Sequence, residues 1–154
     1  MSRWRRFRNL PAPERGMLLH ALAALPLSAL LLRLAGFRRA QNFLSKMAGR
    51  GARSLDLEET PLPQARRAAR LVAVAAAEGP YHANCLERSL TLWWLLRRRG
   101  VACQLRIGVR KQADRLEAHA WVELDGAILN DGEGIHRHFS PFPADIAASL
   151  QEQP

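Results

Sequence analysis

The apolar residues of this chain change period at Cys103, and that change limits the fold more than any other feature. Before it, Leu86, Leu90, Trp93, Trp94 and Leu96 occupy most of the circumference of a helix that begins at Cys85 and stops at Gly100. After it, Cys103, Leu105, Ile107 and Val109 alternate with Gln104, Arg106, Gly108 and Arg110, the period of a half-buried strand. A polar turn around Lys111 to Arg115 leads to a second alternation. There Leu116, Ala118, Ala120 and Val122 stand against Glu117, His119, Trp121 and Glu123. Asp125-Gly126 marks a hairpin turn, and Ala127 to Asp131 forms the returning strand. A helix that is apolar all round needs cover on every side, which a half-apolar sheet supplies. The expected class is α+β, one buried helix packed on a small antiparallel sheet.

Upstream, the pattern is helical throughout. Pro13 and Glu14 suit a first turn, and a helix runs through Leu18, Leu22 and Leu25 towards Leu34, with Pro26 expected to kink or split it. Gly36 is a plausible stop, and Phe37 to Met47 forms another short helix. Gly49, Gly51 and the polar Ser54 to Thr60 stretch read as a linker closed by Pro61 and Pro63. Gln64 to Ala77 is an alanine-rich helix ending before Gly79-Pro80. The expected division is an N-terminal basic and apolar helical extension with its linker over residues 1–60, then a domain over 61–154.

The chain has 154 residues, 48% of them hydrophobic and 24% charged, as for one globular domain. Its formal net charge is +9, which favours acidic partners or an anionic surface. Arg3, Arg5, Arg6 and Arg8 interleave with Trp4 and Phe7, while Arg97 to Arg99 end a helix, where positive charge suits the dipole. No recognition motif accompanies this charge, so nucleic acid is not an expected partner. The apolar stretch from Met17 to Phe37 carries His20, Pro26 and Arg33, and reads as a domain-packing or membrane-surface helix rather than a spanning one. Two cysteines, Cys85 and Cys103, form no disulfide framework, and a reducing, cytoplasmic setting fits them. No His/Cys spacing suggests a metal, and no cofactor is implied.

Chemistry centres on Cys85. Asn84 reads as an N-cap with Glu87 as its capping-box partner, which puts Cys85 in the first turn of the buried helix. The positive end of the helix dipole favours a thiolate there, and the first-turn N–H groups suit an oxyanion. A buried structural cysteine is the plainer reading of the same position. His119 lies on a strand face with Glu117 and Trp121; it is either solvated or turned into a cleft as a base for Cys85. Asp131 tests the choice by register. A two-residue turn at Asp125-Gly126 sets Ala120 against Asp131, with His119 on the opposite face. A three-residue loop of Leu124, Asp125 and Gly126 sets Glu123 against Ala127 and His119 against Asp131. The three-residue loop is therefore expected.

Five stretches together resemble a known family. They are Asn84-Cys85-Leu86-Glu87-Arg88-Ser89-Leu90, Leu92 to Gly100, Arg106-Ile107-Gly108-Val109, Ala118-His119-Ala120-Trp121-Val122-Glu123 and Leu129-Asn130-Asp131. The pattern is similar to that of the B2-type leader peptidases of lasso-peptide biosynthesis, over roughly Gln64 to Phe142. The resemblance implies a transglutaminase-like, papain-related cysteine peptidase core. It implies Cys85, His119 and Asp131 as the catalytic triad, and a precursor peptide cut where leader meets core, one residue after a threonine. It also implies a separate leader-recognition (B1-type) protein and a lasso cyclase as partners.

Other residues have weaker claims. Tyr81, His82, Asn84 and Trp121 are candidates for the substrate cleft, Trp121 also as a shield of the Cys–His pair from water. His82 reads equally as a loop histidine, and Asn84 first as a cap. Cys103 reads as core. His136 and His138, two apart on a loop, make a poor metal site. Phe139-Ser140-Pro141-Phe142-Pro143 reads as a tail packed across the domain, or as a partner contact. Two rival functions share these residues: a transamidase with an amine in place of water, and a non-catalytic leader-binding scaffold.

Overall fold

The computed structural model describes residues 8–49, 61–112, 115–132 and 134–141. The arginines before Arg8, the linker from 50 to 60, the turn at 113 and 114, and the tail from Phe142 lie outside the described residues.

Helix α1 (Ala12–Gly49) is two helical segments joined at Gly36, which has φ 75° and ψ 170°. A Cβ at Gly36 would meet nothing within 4 Å, so the left-handed φ rather than crowding calls for glycine there. Pro26 lies inside the first segment, where the backbone is helical. The expected split at Pro26 is thus not formed, and the expected stop at Gly36 is where the two segments meet. A proline φ near −65° fits a helix at the loss of one N–H bond, whereas a positive φ breaks the ladder outright.

Helix α2 (Pro61–Glu78) buries Ala65, Ala68, Ala69, Val72, Ala75 and Ala76. Small residues at this helical spacing let it lie close to α1. It ends at Gly79, where a Cβ would stand 2.2 Å from the Ala75 carbonyl oxygen and 2.8 Å from Leu22 Cδ2. Helix α3 (Cys85–Arg97) is the buried helix of the fold, with every residue from Ser89 to Leu96 buried. A buried polar tie to α1 is Thr91 Oγ1 donating to Ser28 Oγ at 2.9 Å. Arg97 and Arg98 lie over the rings of Trp93 and Trp94, at 5.3 and 4.8 Å from the centroids. The arginines that end this helix therefore cover its tryptophans as well as its dipole.

Strands β1 (Gln104–Gln112), β2 (Arg115–Leu124), β3 (Ala127–Ile128) and β4 (Ser140–Pro141) form one antiparallel sheet in the order β3-β2-β1-β4. A four-residue helix, α4 (Ile135–His138), precedes β4. One face of the sheet joins a core that includes Met17, Leu25 and Leu44 of α1, Val72 of α2, Leu92 of α3, and Cys103, Val122 and Leu124. The chain on both sides of the expected boundary at residue 60 thus packs into a single core. The N-terminal helices are part of the folded body rather than an appendage to it.

Candidate active site

The first turn of α3 is built by its cap. Asn84 Oδ1 accepts from the Glu87 N–H, and Glu87 Oε2 accepts from the Asn84 N–H, both at 2.9 Å. The second oxygen of the buried Glu87 accepts from the Tyr81 hydroxyl at 2.9 Å. Desolvation, and after it the Glu87 carboxylate, raises the Tyr81 phenol above its ordinary value. Asn84 and Tyr81 are therefore held in the cap. Cys85 follows as the first helical residue and is half-buried, while His82 is exposed.

The two thiols differ. Cys103 is 3% exposed, its Sγ faces the Trp93 carbonyl at 3.9 Å, and burial pushes its pKa from 9.0 up to about 11. It is a core cysteine, as its inward strand position implies.

His119 Nε2 is hydrogen-bonded to Asp131 Oδ2. This pairing forms on a register that the parity argument rejects. Leu124 stands against Ala127 and Glu123 against Ile128, so the turn has two residues, Asp125 at φ 49° and Gly126 at φ 81°. The expected three-residue loop is not formed. Two successive positive φ values are those of the tight turn whose twist matches its strands.

Asp131 reaches His119 because the ladder ends before it does. Leu129 N–H still bonds the Val122 carbonyl at 3.0 Å, but the Val122 N–H is taken by the Asn130 side-chain oxygen at 2.8 Å. A side chain thus replaces backbone at Asn130, the chain bends, and strand alternation no longer decides where Asp131 points. Asp131 Oδ1 accepts from the Gly132 N–H at 2.8 Å, which fixes the carboxylate in this bend.

One network ties α3 to β2 at this point. The Ser89 hydroxyl, fully buried, donates to the Ala120 carbonyl at 2.8 Å and accepts from Asn130 Nδ2 at 2.8 Å. Ser89 lies one turn after Cys85 on the same helix face, and Ala120 directly follows His119. The helix that begins at Cys85, the strand that carries His119 and the bend that carries Asp131 are therefore joined at one buried hydroxyl. Sequence reading missed Ser89 and Asn130. The available signal was a small polar residue four positions after Cys85 on a largely apolar helix, and an asparagine beside Asp131.

The face of the sheet that carries His119 is not open. Trp121, Ile128 and Phe139 form a second small core there, with Ile135 packed against it. The His119 ring lies 6.4 Å from Trp121, nearly parallel at 20°, and 5.2 Å from Phe139. Trp121 is 0% exposed, and its indole N–H donates to Glu123 at 2.8 Å. It backs the histidine and screens it from water, but a fully buried ring is not a wall that substrate touches. Phe139 arrives through β4, whose Ser140 pairs with Val109. Gly108, directly across from His119, makes room for this layer: a Cβ there would stand 2.7 Å from Trp121 Cη2 and 3.0 Å from the Ser140 carbonyl oxygen. Among the described residues no group of three His, Cys, Asp or Glu is placed to hold a metal ion. His138 is exposed on α4, and the His136 side chain lies outside the described residues.

The family model described as the transglutaminase-like superfamily matches residues 24–143. The match begins inside α1, in keeping with one shared core. No curated protein and no solved structure matches the chain.

Proposed function

Because the chain belongs to the transglutaminase-like superfamily, we propose that it is a cysteine peptidase with Cys85 as nucleophile, His119 as base and Asp131 as the residue that orients His119. The observation that carries this reading is the His119–Asp131 pair, held through Ser89 beside the helix whose first residue is Cys85. Joining the helix of Cys85 to the strand of His119 and the bend of Asp131 would serve a reaction that needs all three.

The chemistry follows from the partners. An ionised Asp131 only accepts, so His119 Nε2 carries the proton and Nδ1 is the nitrogen that takes the Cys85 thiol proton. The thiolate attacks the scissile carbonyl carbon. The cap consumes the Glu87 N–H, and the Asn84 carbonyl takes that of Arg88 at 3.0 Å. The N–H groups of Cys85 and Leu86, at the positive end of α3, then serve the developing oxyanion. The C–N bond breaks as His119 returns its proton to the leaving amine, leaving a thioester. Water, deprotonated by His119, hydrolyses it and frees the acid and the thiol.

The substrate in this reading is a lasso-peptide precursor, cut between leader and core, with a threonine at the penultimate position of the leader. A separate recognition protein presents the leader, a cyclase consumes the freed core amine, and the reaction takes place in the cytoplasm. This rests on the five motif stretches from Asn84 to Asp131. The test is mass spectrometry of the precursor incubated with wild type and with Cys85→Ala, recognition protein present. A leader-sized mass loss with wild type alone is the expected result. Leader binding without cleavage by either would sink the peptidase and leave a scaffold. A second reading, transamidation, draws on the superfamily itself; an added amine appearing in the product mass would favour it.

A further inference from the structure

The first segment of α1 buries one face and leaves the opposite one bare. Met17, Ala21, Ala24, Leu25 and Ser28 enter the core, whereas Leu19, Leu27, Leu30 and Leu34 are 54, 42, 52 and 77% exposed. At about 100° per residue those four leucines fall within one sector of the helix, and the exposed Ala23 and Pro26 fill its gaps. From Leu19 to Leu34 the stripe is about 22 Å long. Scattered exposed leucines are ordinary on a protein surface, but a continuous stripe on one helix marks a contact.

Charge selects what the stripe meets. Arg15 and Arg33 lie at its two ends, on the same edge of the helix, and Arg39 and Lys46 follow the break at Gly36. From Arg15 to Gly49 the sequence contains no Asp or Glu. A second copy of the chain seated on the stripe would set these cations against each other. Anionic headgroups would neutralise them while the leucines enter the acyl boundary.

The same helix is long and apolar enough to cross a membrane by length and composition. Crossing, however, would strip Met17, Ala21, Leu25 and Ser28 from α2, α3 and the main core. A helix anchored along one face can meet a bilayer only lengthwise. We propose that α1 docks the protein on an anionic membrane surface, with Leu19, Leu27, Leu30 and Leu34 entering the bilayer boundary and Arg15 and Arg33 reaching the headgroups.

The test is co-sedimentation of the full chain with vesicles of phosphatidylglycerol and phosphatidylcholine, and with vesicles of phosphatidylcholine alone. The expected result is binding to the anionic vesicles that weakens with salt and falls at least about tenfold in Leu30→Glu/Leu34→Glu. Circular dichroism checks the fold of the double variant, and Leu34→Glu alone, at the most exposed position, serves if the pair unfolds. No binding, equal binding by the variant, or equal binding to phosphatidylcholine alone would overturn the proposal. So would a dimer, or a complex with a soluble acidic protein, that forms in place of vesicle binding and is broken by the same substitutions.

Discussion

The hydroxyl of Ser89 is hydrogen-bonded at 2.8 Å to the carbonyl of Ala120, the residue that follows His119. Through Asn130 the same hydroxyl is linked to the bend that carries Asp131. Ser89→Ala leaves the buried Ala120 carbonyl and the half-buried Asn130 amide without this partner, at a cost of about 1–3 kcal/mol. Stability should fall by that amount in urea. Peptidase turnover should fall further than KM changes, because the link sets geometry rather than binding. A loss of stability with turnover unchanged would separate the network from the site.

Asp131→Asn replaces an acceptor-only group by one that can present its NH2 to His119. The ring can then adopt the tautomer whose proton sits on Nδ1, the nitrogen needed as base. Cleavage should fall by about 10²–10⁴-fold. The rate of Cys85 alkylation as a function of pH should also change shape, which needs no peptide substrate and so tests the pair directly.

The two cysteines should react in sequence. In native protein at pH 8, iodoacetamide should label half-buried Cys85 and spare Cys103, whose thiol is buried and titrates at about 11. Peptide mapping before and after denaturation reads the order. Because folding raises the Cys103 pKa from 9.0 to about 11, its contribution to stability is fully present below pH 9 and lost as pH rises through about 11. Over that window the denaturation midpoint of Cys103→Val should fall less than that of wild type.

Gly108→Ala places a methyl group 2.7 Å from the Trp121 ring, between that ring and β4. Neither a fully buried indole nor a strand carbonyl yields easily. A loss of about 1–3 kcal/mol is expected, read as a lower thermal midpoint. Trp121 fluorescence should shift with it, since the ring and the Phe139 strap must part.

Glu87→Ala removes one carboxylate from two donors, the Asn84 N–H and the Tyr81 hydroxyl. The expected destabilisation is about 1–2 kcal/mol. Glu87→Gln, whose side-chain oxygen can still accept one bond, should recover part of it. A null effect of both on urea unfolding would show that the cap contributes nothing to α3.

The helical cap, the core fate of Cys103 and the α+β order were legible because each is a local matter. Asn84 and Glu87 are three residues apart, and Cys103 directly precedes the strand whose alternation it begins. The register of the second hairpin was not legible. Parity holds only while a strand continues, and the strand ends where Asn130 substitutes its side chain for backbone. The stop at Gly36 was legible as a glycine signal, whereas the helical backbone at Pro26 was not, because a proline inside a helix is decided by what packs around it.

Sequence by itself determined which residue types could do the chemistry and on which elements they lie, since period, cap and turn signals act over a few residues. Tertiary structure decided which of them meet. The bonds that the Ser89 hydroxyl makes, the full burial of Trp121 and the choice of which leucines stay outside on α1 are not set locally. Burial and hydrogen-bond satisfaction are properties of neighbours brought from elsewhere in the chain. A polar group is a core link only once packing has excluded water from around it.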